Sequence, residues 1–535
     1  MAAEETLRVV VAEPFAEAGM AVLRRAGIDV VQMAGASRAT LADALSDADG
    51  LIVRSETRVD RELLRCGARL AVVARAGAGV DAIDVDAATE AGIVVLNTPG
   101  ANTLAAAEHT FALILSLCRN VPQAVADIRE GRWDRRHLIG SELAEKTLGI
   151  VGLGRIGGAV AQRAKAFGMR VVATDPFVSA ARADSVGARL VTLDELLESS
   201  DIVTLHVPLG PQTSGLIGAA QLARLRPHAL LVNCARGGLV DEEALLKALD
   251  RHALRGAALD VVAEEPPSPE SASARLHRHP KVIATPHIGG STREALERVA
   301  TEVATDVVNV LRGAPPVAAV NAPALAGPGA GILQPFVQLA YRLGVLLPQI
   351  STSQNRATYV LTLEGHIAEM EASPLEAAFL SGFLQGISDR RVSMVNARAI
   401  ARELGIVIDV QRSSDAGAFA SRLRVAGEAT TLAGTSTNAG LRLLEWNGYE
   451  IDAVPAGDLV VTLHRDVPGM VGKVGTILGD AHINISTMQV SRNAFAGEAA
   501  MVLSVDRTVN AATAKDLGCI EGVQFVRTLR LPAAS

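Results

Sequence analysis

Three polar side chains each follow an apolar run that reads as a buried strand. Arg236 ends Asn233-Cys-Ala-Arg, Glu265 closes a segment that begins at Asp260, and His287 lies in Thr-Pro-His-Ile-Gly-Gly. An arginine fork holds a carboxylate and polarises a neighbouring carbonyl. A histidine exchanges a proton near neutral pH, and a paired carboxylate orients its ring and favours its charged form. This set suits the oxidation of a hydroxy acid, with His287 taking the hydroxyl proton.

A glycine-rich segment, Gly152-Leu-Gly-Arg-Ile-Gly157, lies upstream of these residues. It follows a predicted strand and opens a helix of small residues, and the next predicted strand ends at Asp175. In that context Gly152 permits a tight turn, Gly154 lets backbone approach a pyrophosphate, and Gly157 lets helix and strand pack closely. Asp175 is placed to accept hydrogen bonds from ribose hydroxyls and to repel a 2′-phosphate, so the segment predicts NAD rather than NADP.

The elements that must position these residues alternate between short apolar runs and helix-like stretches. This order predicts parallel sheets covered on both faces, hence an α/β fold. Because residues just past the carboxyl ends of parallel strands line the ligand crevice, Arg236, Glu265 and His287 can converge. Predicted strands lie at 7–11, 29–31, 50–53, 70–73, 147–151, 170–174, 189–191, 202–206, 229–233, 256–258 and 282–284.

The composition changes after a predicted amphipathic helix at 292–311. Residues 313–330 are rich in Pro, Gly and Ala, which is typical of a linker. Residues 331–455 mix helix and strand signals without a catalytic motif. The last segment, 458–531, has the order βαββαβ, which predicts a ferredoxin-like module.

Composition excludes several classes of function. The 535 residues predict three or four domains, and a net charge of −7 without a basic block disfavours nucleic acid and membranes as partners. No signal peptide or membrane span is predicted. The cysteines are widely spaced, which indicates no metal site and predicts reduced thiols in a cytoplasmic protein; they are Cys66, Cys118, Cys234 and Cys519.

The ordered motifs between Gly152 and His287 resemble those of the D-isomer-specific 2-hydroxyacid dehydrogenases, and the resemblance extends over about residues 7–312. It implies an NAD-dependent enzyme with two doubly wound, Rossmann-like domains flanking a cleft, and catalytic roles for Arg236, Glu265 and His287. The positions that it implies for the cofactor are Gly152, Gly154, Arg155, Ile156, Gly157, Asp175, Pro176, His206, Val207, Pro208, Cys234, Ala235, Arg236, Asp260, His287 and Gly289.

Within that family the chain is similar to the long-form branch that oxidises 3-phospho-D-glycerate to 3-phosphohydroxypyruvate, the first step of phosphorylated serine biosynthesis. The phosphorylated substrate requires additional cations. An alternative interpretation of Arg135 and its neighbour Arg136 is a solvated basic turn. The positions implied for the substrate are Arg54, Ser55, Arg75, Ala78, Gly79, Asn102 and Arg135.

The C-terminal module resembles an ACT domain, which in related dehydrogenases binds serine between two subunits. This resemblance implies L-serine as effector and a homo-oligomer, either dimer or tetramer. The matching polar positions are His464, Asp466 and Asn484. The alternative is a purely structural dimerisation domain. The segment before it resembles an α+β intervening domain that could bind anions through Arg422 and Arg424.

The domain boundaries expected from this organisation are 1–98 with 287–316 for the substrate domain, 99–286 for the NAD domain, 317–455 for the intervening domain and 456–535 for the ACT domain.

Two other functions stay open at this point. One is a family member that acts on glyoxylate, hydroxypyruvate or lactate, which the C-terminal extension disfavours. The other is a corepressor-like protein that senses NAD, which could retain Arg236, Glu265 and His287.

Overall fold

The computed structural model describes residues 6–312, 318–323, 329–351, 358–493 and 497–532. The chain forms two compact units. The first comprises Met1–Pro14, Met20–Asn97 and Val303–Ser535, and the second comprises Phe15–Gly19 and Thr98–Glu302.

The N-terminal part of the first unit is a five-stranded parallel sheet with the order β2-β1-β3-β4-β5. Its strands are β1 Arg8–Val11, β2 Asp29–Gln32, β3 Gly50–Val53, β4 Val72–Arg75 and β5 Val94–Leu96, and its helices are α1 Glu17–Arg25, α2 Arg38–Leu45, α3 Arg61–Cys66 and α4 Val85–Glu90. The strand predicted at 70–73 begins two residues later, and β5 is a strand that the sequence analysis missed. β3 is buried along its whole length, as expected for a strand covered on both faces.

The second unit contains a seven-stranded parallel sheet with the order β12-β11-β10-β9-β6-β7-β8. Its strands are β6 Thr147–Val151, β7 Arg170–Thr174, β8 Arg189–Leu190, β9 Ile202–Leu205, β10 Leu230–Asn233, β11 Gly256–Leu259 and β12 Val282–Ala284. The helices from here to residue 311 are α5 Thr103–Arg119, α6 Val121–Arg129, α7 Arg155–Ala166, α8 Ala180–Val186, α9 Leu193–Ser199, α10 Ala219–Leu222, α11 Glu242–Asp250, α12 Ala272–Arg278 and α13 Arg293–Leu311. The strand order reverses at β6, so the sheet is doubly wound, as predicted.

The next part of the first unit is a six-stranded mixed sheet with the order β14-β13-β15-β16-β17-β18. Helices α14 and α15 cross closely at Gly344 and Gly382. A methyl group at either position would collide with a backbone carbonyl of the opposite helix. The elements are α14 Ala330–Ile350, β13 Thr358–Gly365, α15 Ser373–Leu384, α16 Ala397–Glu403, β14 Val407–Ser413, β15 Ser421–Ala426, β16 Thr431–Thr437, β17 Gly440–Trp446 and β18 Tyr449–Ala453.

The C-terminal module has the predicted βαββαβ order and the sheet order β20-β21-β19-β22. One face of its sheet shares a core with α14, where buried Arg342 donates to the carbonyl oxygens of Pro455 and Pro532 at 2.8 and 2.7 Å. The elements are β19 Gly457–Arg465, α17 Met470–Asp480, β20 Ile485–Asn493, β21 Glu498–Val505, α18 Ala511–Gly518 and β22 Val523–Leu531.

Within the described residues, no single helix has the length and apolar character needed to cross a membrane. The bent pair α5 and α6 meets that criterion by length and composition only. No cluster of three or more His, Cys, Asp or Glu side chains suited to a metal ion occurs in the described part of the chain.

Candidate active site

The central feature of the second unit is a hydrogen bond between His287 and Glu265. His287 Nδ1 lies 2.7 Å from Glu265 Oε2, and the Val262 amide donates to Glu265 Oε1 at 3.0 Å. Burial raises the pKa of Glu265, but these hydrogen bonds outweigh it and leave the pKa below its ordinary value. Because the ionised carboxylate only accepts, Nδ1 carries the proton and Nε2 is the ring atom that can exchange a proton with a substrate.

Arg236 follows β10, next to the strand that precedes Glu265. Asn233 shapes its loop, because the side chain donates to the Arg236 carbonyl at 2.8 Å and accepts from the Ala235 amide at 3.0 Å. A methyl group at Gly237 would collide with the Val262 carbonyl, so only glycine lets the loops after β10 and β11 approach this closely. The structure therefore places Arg236, Glu265 and His287 after three neighbouring strands, at the edge that binds ligands in such sheets.

A buried carboxylate, Asp260, fixes the loop that carries His287. It accepts from the amides of Ile288 and Gly289 at 2.9 and 2.8 Å and from the Thr285 hydroxyl at 2.6 Å. His109 Nε2 on α5 lies 3.1 Å from the same carboxylate. Burial raises the pKa of Asp260, whereas these bonds lower it below its ordinary value. The sequence predicts Asp260 near the cofactor, whereas the spacing of His109 in the chain carries no signal.

A second buried carboxylate, Glu242 on α11, supports the loop that carries Glu265. It accepts from the Ala263 amide and from the Ser273 hydroxyl, both at 2.6 Å. Ser273 lies on α12, so two helices hold this loop from outside the site. Sequence reasoning missed Glu242, which looked like an ordinary acidic residue in a first helical turn.

The glycine-rich turn after β6 has the geometry that a dinucleotide requires. Gly152 has a φ of +93°, which favours glycine, and a methyl group at Gly157 would collide with the Gly152 carbonyl. A Cβ at Gly154 would meet nothing within 4 Å, so the start of α7 is open for a phosphate. Asp175 accepts from the amides of Leu153 and Phe177 at 2.8 and 2.9 Å, and each oxygen keeps a lone pair for a ribose hydroxyl.

His206 and Cys234 lie at the ends of β9 and β10 next to this turn. Burial lowers the pKa of His206 to about 4, and its Nε2 lies 3.0 Å from the Thr204 hydroxyl. Its Nδ1 is buried without a partner within the described residues, so it can pair with a bound ligand. Burial raises the pKa of Cys234 to about 12, so this thiol is neutral and fills space. The open Gly154 and the unpaired His206 nitrogen fit NAD.

The other predicted cofactor positions also lie at these strand and helix ends. Each belongs to a segment already described, although nothing in the geometry assigns it a contact. They are Arg155 and Ile156 in the first turn of α7, Pro176 after β7, Val207 and Pro208 after β9, Ala235 after β10 and Gly289 after His287.

The predicted substrate residues of the first unit share the carboxyl edge of its sheet. Arg54 and Ser55 follow β3, and Arg75 ends the neighbouring β4, where it pairs in register with Val53. The Arg75 side chain lies over Gly77, where any Cβ would collide with it. The remaining two positions, Ala78 and Gly79, are in the loop after β4, and Asn97 donates to the Ala78 carbonyl at 2.6 Å.

The two predicted substrate residues of the second unit differ in their surroundings. Asn102 precedes α5, and its side-chain oxygen is buried without a partner in the described structure, as is the hydroxyl of Thr103. Such atoms at a helix N-terminus can receive part of a ligand. Arg135 is exposed in the loop after α6, where its neighbour Arg136 pairs with Asp134 at 3.0 Å.

Comparisons with known proteins decide the family. Models of the D-isomer specific 2-hydroxyacid dehydrogenase NAD binding domain, the D-3-phosphoglycerate dehydrogenase intervening domain and the ACT domain match residues 111–289, 332–444 and 458–518. The chain is 42% identical to D-3-phosphoglycerate dehydrogenase of Bacillus subtilis over 98% of this chain and 100% of that protein. The chain belongs to the D-3-phosphoglycerate dehydrogenase family.

Other relatives show how far the similarity extends. The D-3-phosphoglycerate dehydrogenase of Methanocaldococcus jannaschii is 39% identical over 98% of this chain and 100% of its own length. A solved structure from Thermus thermophilus has a TM-score of 0.54 and 39% identity, and it covers 59% of this chain and 100% of its own. A D-lactate dehydrogenase structure from Aquifex aeolicus, with a TM-score of 0.51 and 27% identity, covers 57% and 96%. These two solved structures therefore leave about two-fifths of this chain unmatched.

The three predicted effector residues of the ACT domain do not meet within one chain. Asp466 lies beyond β19, where its amide donates to Gly497 and its carboxylate pairs with Arg492 at 2.9 Å. The Asn484 amide donates to Asp506 at 3.0 Å, at the opposite end of β21. The eight residues of β21 span about 26 Å. His464 is 2% exposed, and burial lowers its pKa.

The sequence predicts anion binding by Arg422 and Arg424, but both have carboxylate partners, so their arrangement does not favour that prediction. Arg422 pairs with Glu364, and Arg424 lies 3.3 Å from Glu364 and 2.8 Å from Glu445. Glu445 also lies 3.8 Å from Arg422. We call these four residues, on β13, β15 and β17, the charge quartet. Its two positive and two negative charges balance, so it offers no net attraction to an anion.

Proposed function

We propose that the protein oxidises 3-phospho-D-glycerate to 3-phosphohydroxypyruvate with NAD, as the first step of phosphorylated serine biosynthesis. The observation that carries the proposal is the similarity to D-3-phosphoglycerate dehydrogenases along the full length of both chains. The paired His287 and Glu265, with Arg236 on the next loop, supply the groups that this reaction needs.

His287 acts as the base of the oxidation. Its Nε2 accepts the proton of the substrate hydroxyl, while Nδ1 stays bonded to Glu265. The Glu265 carboxylate stabilises the resulting imidazolium, because an ionised partner favours the charged form of the ring. Asp260 holds the His287 loop throughout, since its bonds to the Ile288 and Gly289 amides do not change with the proton.

Arg236 binds the substrate carboxylate, and its fork can polarise the carbonyl oxygen that forms. The glycine turn and Asp175 would hold NAD, which would supply the hydride acceptor for this oxidation. The chain contributes position, proton transfer and charge, so the reaction depends on loop geometry as much as on residue type.

A steady-state assay tests this function. The purified protein should reduce phosphohydroxypyruvate with NADH and should prefer it to hydroxypyruvate, glyoxylate and pyruvate. Turnover of the unphosphorylated acids with none of the phosphorylated one contradicts the proposal and indicates another member of the wider dehydrogenase family. NAD binding without turnover of any of them indicates a sensor.

L-serine is the effector that we propose for the ACT domain. Because Asp466 and Asn484 lie at opposite ends of β21, a site that uses both requires two copies of the chain side by side. A carboxylate and an amide suit the ammonium and carboxylate of an amino acid. Serine should inhibit the wild type, and Asp466→Ala and Asn484→Ala should each weaken the inhibition, whereas Asp516→Ala on α18 should not. Absence of both serine binding and inhibition contradicts this proposal.

A homo-oligomer, either a dimer or a tetramer, is part of the same proposal. The second unit exposes a group of large apolar side chains around α6, and protein–protein contact is one of the roles of such patches. Its members are Val121, Val125, Ile128, Trp133 and Ile139. Sedimentation should give a mass of more than one chain, and Ile128→Asp should lower the number of chains per particle.

A cytoplasmic location also stays a proposal. The four free cysteines agree with it, and cell fractionation tests it.

A further inference from the structure

A buried carboxylate, Glu13, organises the loop after β3. Glu13 lies beyond the carboxyl end of β1 and is 7% exposed. Its Oε1 accepts from the amides of Arg54 and Thr57 at 2.9 and 3.0 Å, and its Oε2 accepts from those of Ser55 and Glu56, both at 3.1 Å. One side chain therefore sets the direction of four consecutive peptide groups.

The Glu13 carboxylate is ionised at neutral pH. Burial raises its pKa, but the hydrogen bonds from the loop amides outweigh burial and hold the pKa below its ordinary value. The Glu13 carboxylate bonds to peptide amides and not to the Arg54 guanidinium. The positive charge of Arg54 can therefore interact with another anion. The same bonds occupy the four amides, so this loop can contact a ligand only through its side chains and carbonyls.

The loop after β3 places Arg54 close to a second cation, Arg75, which ends the neighbouring strand β4. Val53 and Arg75 pair in register on β3 and β4, so Arg54 stands one residue beyond that pair at the same sheet edge. Arg54 Nη1 lies 3.4 Å from the Pro14 carbonyl, the residue after Glu13. Two guanidinium groups at one edge suit the two charges of a phosphate monoester.

We infer that Glu13 is a positioning residue for the phosphate group of the substrate, acting through Arg54. The inference rests on the proposed function, because it assigns the loop to the phosphate of that substrate. Glu13 does not touch the substrate. It builds the loop that lets the enzyme distinguish a phosphorylated hydroxy acid from an unphosphorylated one.

Glu13→Gln tests this role in the full-length protein. Glutamine keeps one acceptor oxygen and turns an NH₂ group toward two amide donors, so half of the loop loses its partner. The KM for phosphohydroxypyruvate should rise about tenfold or more, the size expected for lost bonds to a charged group. Hydroxypyruvate, which lacks the phosphate, should lose far less, so the ratio of the two kcat/KM values should fall.

Two further variants separate positioning from folding. Glu13→Asp keeps the charge but shortens the reach, so it should lower the ratio less, and it replaces Glu13→Gln if that variant does not fold. Asp49→Asn is the matched control, because buried Asp49 accepts the Arg8 amide at 2.8 Å at the amino end of the same sheet. It should lower the melting temperature without changing the ratio.

Three results overturn the inference. The first is an unchanged ratio in a folded Glu13 variant. The second is an equal fall of the ratio in Asp49→Asn. The third is a full effect of Glu13→Gln in an Arg54→Gln background, where the inference expects little further loss. A wild type that does not turn over phosphohydroxypyruvate at all contradicts the proposed function itself, which is a different outcome.

Discussion

Two regions of the chain place acidic side chains next to basic ones, with opposite consequences. In the second unit, Glu265 commits one nitrogen of His287 and leaves the other for a substrate. In the mixed sheet, Glu364 and Glu445 each contact both Arg422 and Arg424. The first arrangement leaves one ring nitrogen available to a ligand, whereas in the second the opposite charges largely neutralise one another.

The difference follows from the elements that carry the two groups. His287 and Glu265 stand on loops beyond strand ends, where their side chains are 43% and 35% exposed. The charge quartet stands within paired strands, where Glu364 is opposite Arg422 in register and 7% exposed. Loops at a sheet edge can hold reactive groups toward a ligand, whereas strand neighbours satisfy each other.

The largest expected effect is that of His287→Ala. It removes the base, so kcat should fall by about 10³-fold to 10⁴-fold while NAD binding persists. The control is His228→Ala, because His228 pairs with Asp201 at 2.9 Å near the amino ends of the same sheet. Its activity should match the wild type. Turnover that survives His287→Ala contradicts the assignment of the base.

Glu265→Gln should have the next largest effect. The amide no longer stabilises the imidazolium that forms during oxidation, so kcat/KM should fall about tenfold to a hundredfold, the range for a hydrogen bond to a charged group. Glu264→Gln changes the adjacent carboxylate, which bonds to Ser268, and should have little effect. Equal losses in the two variants indicate a general disturbance of the loop.

Sequence alone predicted the parts of this site whose causes are local. The glycine turn and Asp175 could be predicted because the turn, the helix start and the acid lie within about 25 residues, and Gly152 and Gly157 have local steric reasons. Arg236, Glu265 and His287 were readable because apolar runs mark the strand ends before them. Glu13, by contrast, bonds to amides about forty positions away, and His109 to a carboxylate 151 positions away. Only the folded backbone brings such partners together.

The charge quartet also depends on partners that are distant in the chain, and here they remove an apparent binding site. Arg422 and Arg424 looked like cations available to a ligand, because their partners lie in other strands. Glu364 is 58 positions from Arg422, and the pairing of β13 with β15 brings them together. The mixed signals of residues 331–455 did not predict the register of these strands. The neutralisation of the two arginines by Glu364 and Glu445 was therefore not predictable either.

His109→Leu should give a moderate effect. Loss of its bond to Asp260 loosens the His287 loop, so kcat should fall about fivefold to tenfold and stability by about 1.5 kcal/mol. Because the pKa of Asp260 is lowered in the folded protein, its stabilising contribution is complete above its ordinary value and lost as pH falls through the folded value. The Asp260 carboxylate therefore stays ionised at neutral pH and keeps its role as a hydrogen-bond acceptor. His109→Gln should restore part of the lost activity, whereas a purely steric role predicts no rescue.

The smallest effect on activity should come from Glu364→Gln. Removing one carboxylate leaves two half-buried guanidinium groups with a single partner, so the free energy of unfolding should fall by about 2 kcal/mol, below the value for a fully buried pair because water reaches the arginines. Turnover should stay within twofold. Glu403→Gln removes the exposed partner of Arg390 and should cost less than about 0.5 kcal/mol. The Glu364 variant should also bind inorganic phosphate at the arginines where the wild type does not, since the charge is no longer balanced; phosphate binding there by the wild type contradicts the neutrality of the quartet.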